Sequence, residues 1–69
     1  MHLSSISLIR LPLVKQRTGL SRSTIYAKIA MDEFPGPVNL GPRSVGWVDS
    51  EIDQWIADRV AVRNEKEAR

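Results

Sequence analysis

The sequence predicts a small, mainly α-helical domain with one β-hairpin, built in the order helix, tight turn, helix, hairpin, helix. Its 69 residues, of which 42% are apolar and 26% charged, have the composition of one folded domain. Apolar residues recur at helical spacing on both sides of Gly19 and again near the C-terminus. Between these segments, two short apolar runs flank a Gly-Pro pair, which is typical of a hairpin.

The first helix follows an N-terminal segment, residues 1–10, that has no clear period and that we expect to be an extended arm. Pro12 is typical of the first turn of a helix, because its fixed φ fits there and its missing N–H is not needed. We expect this helix to run to about Thr18. Gly19 then supplies the left-handed residue that commonly follows the end of a helix.

The second helix, predicted at about residues 21–31, has the clearest start in the chain. Ser21 is a good N-cap, because its hydroxyl can accept a hydrogen bond from a free backbone N–H of the first turn. Leu20 before the cap and Ile25 at the fourth helical position form an apolar pair that fixes how the chain enters the helix. The segment Pro35–Pro37 prevents the helix from continuing.

A β-hairpin is predicted from Val38–Leu40 and Val45–Val48, joined by a four-residue loop at 41–44. A third helix is expected to begin with a cap at Asp49 or Ser50. Its apolar residues fall at i, i+3, i+4 and i+8 and form one stripe, consisting of Ile52, Trp55, Ile56 and Val60.

We expect the core to take one apolar face from each element. The predicted core residues are Leu11, Val14, Leu20, Ile25, Ile29, Phe34, Val38, Leu40, Val45, Trp47, Ile52, Trp55 and Ile56. The chain then divides into an arm at residues 1–10, a domain at 11–60, and a charged C-terminal helix end or tail at 61–69.

Charge is unevenly distributed along the chain. Residues 1–48 carry six basic and two acidic side chains, a net charge of +4, whereas residues 49–69 carry four basic and six acidic side chains, a net charge of −2. This division indicates that the first part of the molecule faces an anionic partner.

Two short helices joined by a turn are the layout of a helix-turn-helix, whose second helix enters the major groove of DNA. A helical hairpin with a polar outer face is the alternative from the helix pattern alone. A hairpin that follows such a unit can act as a wing. We expect Arg22 and Ser23 to contact base edges, since arginine can bind guanine through two hydrogen bonds. The expected phosphate contacts are Ser21, Tyr26, Lys28 and Arg43.

The chain resembles the AlpA family of prophage regulatory proteins over about residues 8–60. The resemblance is carried by Thr18–Tyr26, Phe34–Val38, Leu40-Gly41, Arg43, Trp47 and Ser50–Ile56. This family is similar to small excisionases and to the winged-helix domain of MerR-type regulators. The resemblance implies a transcription regulator of a phage or prophage, with the helix at 21–28 reading DNA and the loop at 41–44 as the wing.

Three positions differ from the residues that are frequent in the AlpA family. Ala27 stands where a basic residue is frequent, and Leu13 stands where a polar residue is frequent. Gly46 lies in the second strand of the wing, where a side chain normally packs.

Other classes of function fit the sequence less well. The chain has no phosphate-binding glycine motif and no cysteine, and its one histidine, His2, is expected to lie apart from any folded site, so we expect no enzyme, cofactor or metal. No apolar stretch is long enough to span a membrane, and we expect a cytoplasmic protein.

The expected partner is double-stranded DNA, bound by two or more copies that cooperate, because a single module of this size seldom gives tight specific binding alone. Two alternatives remain open at this point. One is an excisionase-like factor that sets the direction of recombination, and the other is a small adaptor that binds an integrase or another regulator.

Overall fold

A computed structural model describes residues 6–67 of the chain. It contains three helices and one three-stranded antiparallel sheet, which is the arrangement of a small winged helix-turn-helix domain. The elements are β1 (Leu8–Ile9), α1 (Leu11–Thr18), α2 (Arg22–Ala30), β2 (Val38–Gly41), β3 (Ser44–Val48) and α3 (Asp49–Glu67).

The turn between α1 and α2 follows the sequence prediction. Gly19 has φ of 77°, and its N–H donates to the Lys15 carbonyl at 2.8 Å, which ends α1. Ser21 caps α2, since its Oγ accepts from the Thr24 N–H at 3.2 Å. Local signals therefore fix both the end of one helix and the start of the next.

Replacing Ser21 with alanine is expected to lower the free energy of unfolding by about 1 kcal/mol, because the Thr24 N–H loses its partner. Ser23→Ala is the matched control, since Ser23 is also exposed but accepts from no backbone N–H in the described residues. Urea denaturation followed by circular dichroism measures both variants. Equal losses in the two variants would contradict the capping role.

The sheet has the order β1-β3-β2, so β3 is its central strand. Leu8 pairs with Val48 and Ile9 with Trp47, which adds to the hairpin a strand from the segment expected to be an arm. The Asp49 N–H also donates to the Ser7 carbonyl at 2.9 Å. The sheet is thus wider than the predicted hairpin, and residues 1–5 of the predicted arm lie outside the described residues.

The hairpin is tighter than the predicted four-residue loop. Gly41 pairs with Ser44, so the connection is the two-residue turn Pro42–Arg43. The register shifts by one residue between Asn39 and Gly41, where the Gly41 N–H donates to Asn39 Oδ1 at 2.9 Å. Arg43 takes the left-handed position of this turn, with φ of 59°.

The core lies between the helices and one face of the sheet. Its fully or almost fully buried members are Val14, Ile25, Phe34, Trp47 and Ile52. The half-buried residues packed on them are Ile9, Leu11, Leu20, Tyr26, Ile29, Val45, Trp55 and Ile56. Two predicted core residues, Val38 and Leu40, are instead exposed by 39% and 43%. The apolar side chains of this strand point away from the helices. Period-two alternation shows that a strand has two distinct faces, but it does not show which face is buried.

Both tryptophans hold the segment between α2 and β2. Trp47 Nε1 donates to the Pro35 carbonyl at 3.0 Å, and Trp55 Nε1 donates to the Glu33 carbonyl at 2.9 Å. Phe34, between these carbonyls, packs edge-on against Trp55 with ring centroids 4.9 Å apart. These contacts fix the path of the chain from the second helix to the hairpin.

Helix α3 starts at Asp49, one of the two predicted caps, but Asp49 is a helical residue whose carboxylate is bound elsewhere. Arg17 of α1 donates to Asp49 Oδ1 at 2.6 Å and also to Asp53. The pKa of Arg17 is raised, mainly by the hydrogen bond to Asp53. This pairing joins α1 to α3. The two carboxylates also neutralise the positive charge of Arg17.

The C-terminal part of α3 continues as helix through Glu67. The predicted tail at 61–69 is therefore a helix end as far as residue 67, and residues 68–69 lie outside the described residues. From Ala57 to Lys66 every side chain is exposed, so this part of the helix extends beyond the core.

Candidate functional site

The N-terminus of α2 presents a cluster of polar side chains to solvent. Ser21, Arg22 and Ser23 are all exposed. Ser21 Oγ is hydrogen-bonded to Thr24 Oγ1 at 3.0 Å and lies 3.3 Å from Ser23 Oγ. A helix N-terminus combines free N–H groups with the positive end of the helix dipole, and here an arginine adds a full charge. The cluster is suited to an anionic or hydrogen-bonding partner.

Arg22 is held by an aromatic support. Its guanidinium carbon lies 5.0 Å from the centroid of the Tyr26 ring, which is within cation–π range. The Tyr26 ring in turn meets the fully buried Trp47 edge-on, with centroids 6.2 Å apart. Tyr26 is thus half-buried and connects Arg22 to the core. An arginine held in this way loses less conformational freedom on binding.

Lys28 lies apart from this cluster. It lines an open groove of about 630 Å³ between the end of α2 and α3. Besides Lys28, the groove is lined by three acidic side chains, one arginine and three apolar side chains: Asp32, Glu33, Asp58, Arg59, Phe34, Pro35 and Trp55. The acidic neighbours reduce the attraction of Lys28 for an anion.

Arg43 is exposed at the tip of the hairpin and has φ of 59°, in the left-handed region. Glycine or asparagine is the usual residue there, because a side chain beyond Cα is strained in this conformation. The hairpin therefore carries a long cationic side chain at a position where the backbone conformation favours glycine.

Residues 6–67 contain neither a membrane-spanning helix nor a cluster of metal-binding side chains. No helix in that range is long and apolar enough to cross a membrane. No group of three or more histidine, cysteine, aspartate or glutamate side chains in that range lies close enough together to hold a metal ion. His2 lies outside the described residues.

Comparison with known proteins shows which family the chain is similar to. The pattern of the family described as prophage CP4-57 regulatory protein (AlpA) matches residues 7–60. The chain is 49% identical over 55 residues to the uncharacterized protein ORF88 of Enterobacteria phage P4, and this match covers 80% of the chain. It is 40% identical over 62 residues to the DNA-binding transcriptional activator AlpA of Escherichia coli (strain K12), covering 81% of the chain.

The two relatives differ in how much of their own length is matched. The match covers 62% of the phage P4 protein, less than two thirds of its length, and 89% of the E. coli protein. The family pattern itself extends over well more than half of the chain. The chain therefore belongs to the AlpA family of prophage regulatory proteins.

Proposed function

We propose that this protein is a sequence-specific DNA-binding transcription regulator of phage type. The observation that carries the proposal is Arg22, exposed at the N-terminus of α2 and stacked on Tyr26, which itself rests on the core. An arginine on a rigid support at the start of a helix is suited to reading guanine in a major groove. The E. coli relative, described as a DNA-binding transcriptional activator, supports the same function.

The proposed interface has two parts. Helix α2 lies in the major groove, with Arg22 and Ser23 at base edges and with Ser21 and the Tyr26 hydroxyl at phosphates. The turn at Pro42–Arg43 is the wing, and Arg43 contacts phosphate or the adjacent minor groove.

The fold we propose is of the MerR and excisionase type, with residues 11–60 and the strand Leu8–Ile9 as the DNA-binding unit. Lys28 is the weakest member of the proposed phosphate contacts, because acidic side chains share its groove.

Replacing Arg43 with glycine is expected to have opposite effects on stability and on DNA binding. The free energy of unfolding is expected to rise by up to about 1 kcal/mol, because glycine relieves the left-handed strain. The greater conformational freedom of glycine in the unfolded chain offsets part of this gain. The slope of log K against log salt becomes shallower by about 1, because one phosphate contact is lost. Thermal denaturation and fluorescence anisotropy measure the two effects.

The control for this variant is Arg63→Ala, which removes a positive charge from the exposed end of α3. It is expected to leave the salt slope unchanged. An equal change in the slope for both variants would mean that Arg43 acts only through net charge. That result would contradict the proposal that the hairpin is a DNA-contacting wing.

The function is tested by fluorescence anisotropy of the full chain with a labelled mixed-sequence duplex at two salt concentrations. With about three to five phosphates contacted, log K should fall with log salt at a slope between about −3 and −4.5. The duplex enriched by the protein from a random-sequence pool should then bind more tightly than the mixed-sequence duplex. Absence of binding at low salt would overturn the proposal in favour of a protein-binding adaptor.

A further inference from the structure

A network of ion pairs joins the helix-turn-helix to the end of the central strand β3. Arg17 lies in the last turn of α1, and its guanidinium donates to Asp49 Oδ1 at 2.6 Å and to Asp53. Asp49 is the first residue after β3, and Asp53 lies one turn further along α3. We call Arg17, Asp49 and Asp53 the Arg17 bridge.

The Arg17 bridge is a directional contact between two parts of the molecule that otherwise meet through packing. Val14 of α1 and Ile25 of α2 lie with Trp47 of β3 in the buried core. Among the described residues, no other hydrogen bond or ion pair joins residues 11–30 to residues 44–67. Packing of apolar side chains is not directional, whereas an arginine that binds two carboxylates fixes an orientation.

This orientation matters because the two proposed DNA contacts lie on different parts of the molecule. Arg22 lies on α2, whereas Arg43 lies on the hairpin turn, at the other end of β3 from Asp49. The distance along the strand from Trp47 to Arg43 is roughly 13 Å, so a rotation of about 10° about Trp47 would move the tip of the hairpin by about 2 Å. A shift of this size breaks a hydrogen bond to a phosphate.

We infer that Arg17 is a positioning residue, which through Asp49 and Asp53 holds helix α2 and the hairpin turn in the relative orientation that one DNA site requires. The inference rests on the proposed DNA-binding function. The three side chains are exposed by 29%, 40% and 60%, and ion pairs between partly exposed side chains contribute little to the stability of the fold. The Arg17 bridge therefore acts mainly on orientation, because it links two surfaces that must meet the DNA together.

The test begins with Asp53→Ala, which removes one carboxylate from the Arg17 bridge. Loss of an acidic side chain makes the chain more positive, so net charge alone predicts tighter binding to DNA. A lost orientation predicts the opposite, a binding about fivefold weaker to the duplex that the protein enriches from a random-sequence pool. Fluorescence anisotropy of the full chain measures this affinity, and urea denaturation checks that the variant is folded under the same conditions.

Glu51→Ala is the matched control for the change of charge. Glu51 lies in the first turn of α3, is exposed, and makes no ion pair in the described part of the chain. Its replacement changes the net charge as Asp53→Ala does, so this variant should bind the enriched duplex as tightly as the native chain or slightly more tightly. Asp53→Glu restores a carboxylate at an exposed position and should recover the native affinity.

A second variant, Arg17→Lys, leaves the net charge unchanged. An ammonium group cannot bind two carboxylates with the planar geometry of a guanidinium, so this variant should also bind the enriched duplex more weakly. Because its net charge is that of the native chain, a weaker general attraction to DNA cannot explain the loss. This variant decides the test if Asp53→Ala does not fold.

A combination with Arg43→Gly separates orientation from stability. If the Arg17 bridge places the hairpin turn, Arg43→Gly should weaken binding by a smaller factor in the Asp53→Ala variant than in the native chain, because the contact of Arg43 is already partly lost. A role in stability alone would leave that factor unchanged.

The outcomes separate the two proposals. Native affinity of Asp53→Ala and Arg17→Lys for the enriched duplex would overturn the inference and leave the DNA-binding function standing. An equal loss in Glu51→Ala, or an effect of Arg43→Gly that is the same with and without Asp53, would also overturn it. Failure of the native chain to bind any duplex would instead overturn the proposed function, and the inference with it.

Discussion

Trp47→Ala is expected to abolish the folded state at ordinary temperature. Trp47 is the largest fully buried side chain, and its replacement creates a cavity at the centre of the core, at a cost of about 3–5 kcal/mol. The Pro35 carbonyl also loses the hydrogen bond from Nε1. A chain of this length has a total stability of only about 3–10 kcal/mol, so the variant should show no cooperative unfolding transition in urea.

Two further variants separate the contributions of Trp47. Trp47→Phe keeps an aromatic ring beside Tyr26 but removes the indole N–H, and it should remain folded with a lower midpoint. Trp55→Ala should be less damaging than Trp47→Ala, because Trp55 is only half-buried. A Trp47→Ala variant that melts cooperatively near the native temperature would contradict this description of the core.

Arg22→Ala is expected to weaken binding to the enriched duplex by about 1–3 kcal/mol and to weaken binding to mixed-sequence DNA less. The reason is that a guanine contact through two hydrogen bonds discriminates between bases, whereas a phosphate contact does not. Fluorescence anisotropy on both duplexes measures the difference. Equal losses of affinity for the two duplexes would mean that Arg22 contacts phosphate. Unchanged affinity for both duplexes would mean that Arg22 is not part of the interface.

Arg22→Lys and Tyr26→Phe sharpen this test. Lysine keeps the charge but cannot form the planar pair of hydrogen bonds, so it should lose affinity for the enriched duplex and keep it for mixed-sequence DNA. Phenylalanine keeps the ring that supports Arg22 and removes only the hydroxyl, so it should cost no more than one phosphate contact. A loss in Tyr26→Phe as large as in Arg22→Ala would mean that the hydroxyl itself reads the DNA.

Several features of the fold could be predicted because they depend on residues close together in the chain. Gly19 ends α1, and Ser21 caps α2 through a hydrogen bond to a residue three positions away. The hairpin forms where two apolar runs flank Gly41-Pro42. Such signals act within one turn of helix or one reversal of the chain, so they can be read without knowing the rest of the fold.

Other features could not be predicted, because they join residues that are distant in the sequence. The pairing of Leu8–Ile9 with β3 connects segments about forty residues apart. The local propensities of the two segments do not show that the chain between them closes into a loop and brings them together. The pairing of Arg17 with Asp49 and Asp53 likewise has no local signal. Arg17 belongs to the basic first part of the chain, and the structure uses it to join two helices.

For the candidate site, the sequence by itself determined which residues are available and on which element they lie. The polar start of α2 and the arginine at the tip of the hairpin follow from residue types at short spacing. Membership of the AlpA family follows from the ordered combination of motifs along most of the chain.

Only the tertiary structure decided how these residues are supported and separated. It brought the Tyr26 ring between Arg22 and Trp47, and it left Lys28 among acidic side chains. It also decided which apolar face of the sheet is buried, and so left Leu40 exposed. The physical reason is that period and capping specify a helix or strand locally, whereas the face that becomes buried depends on which distant element packs against it.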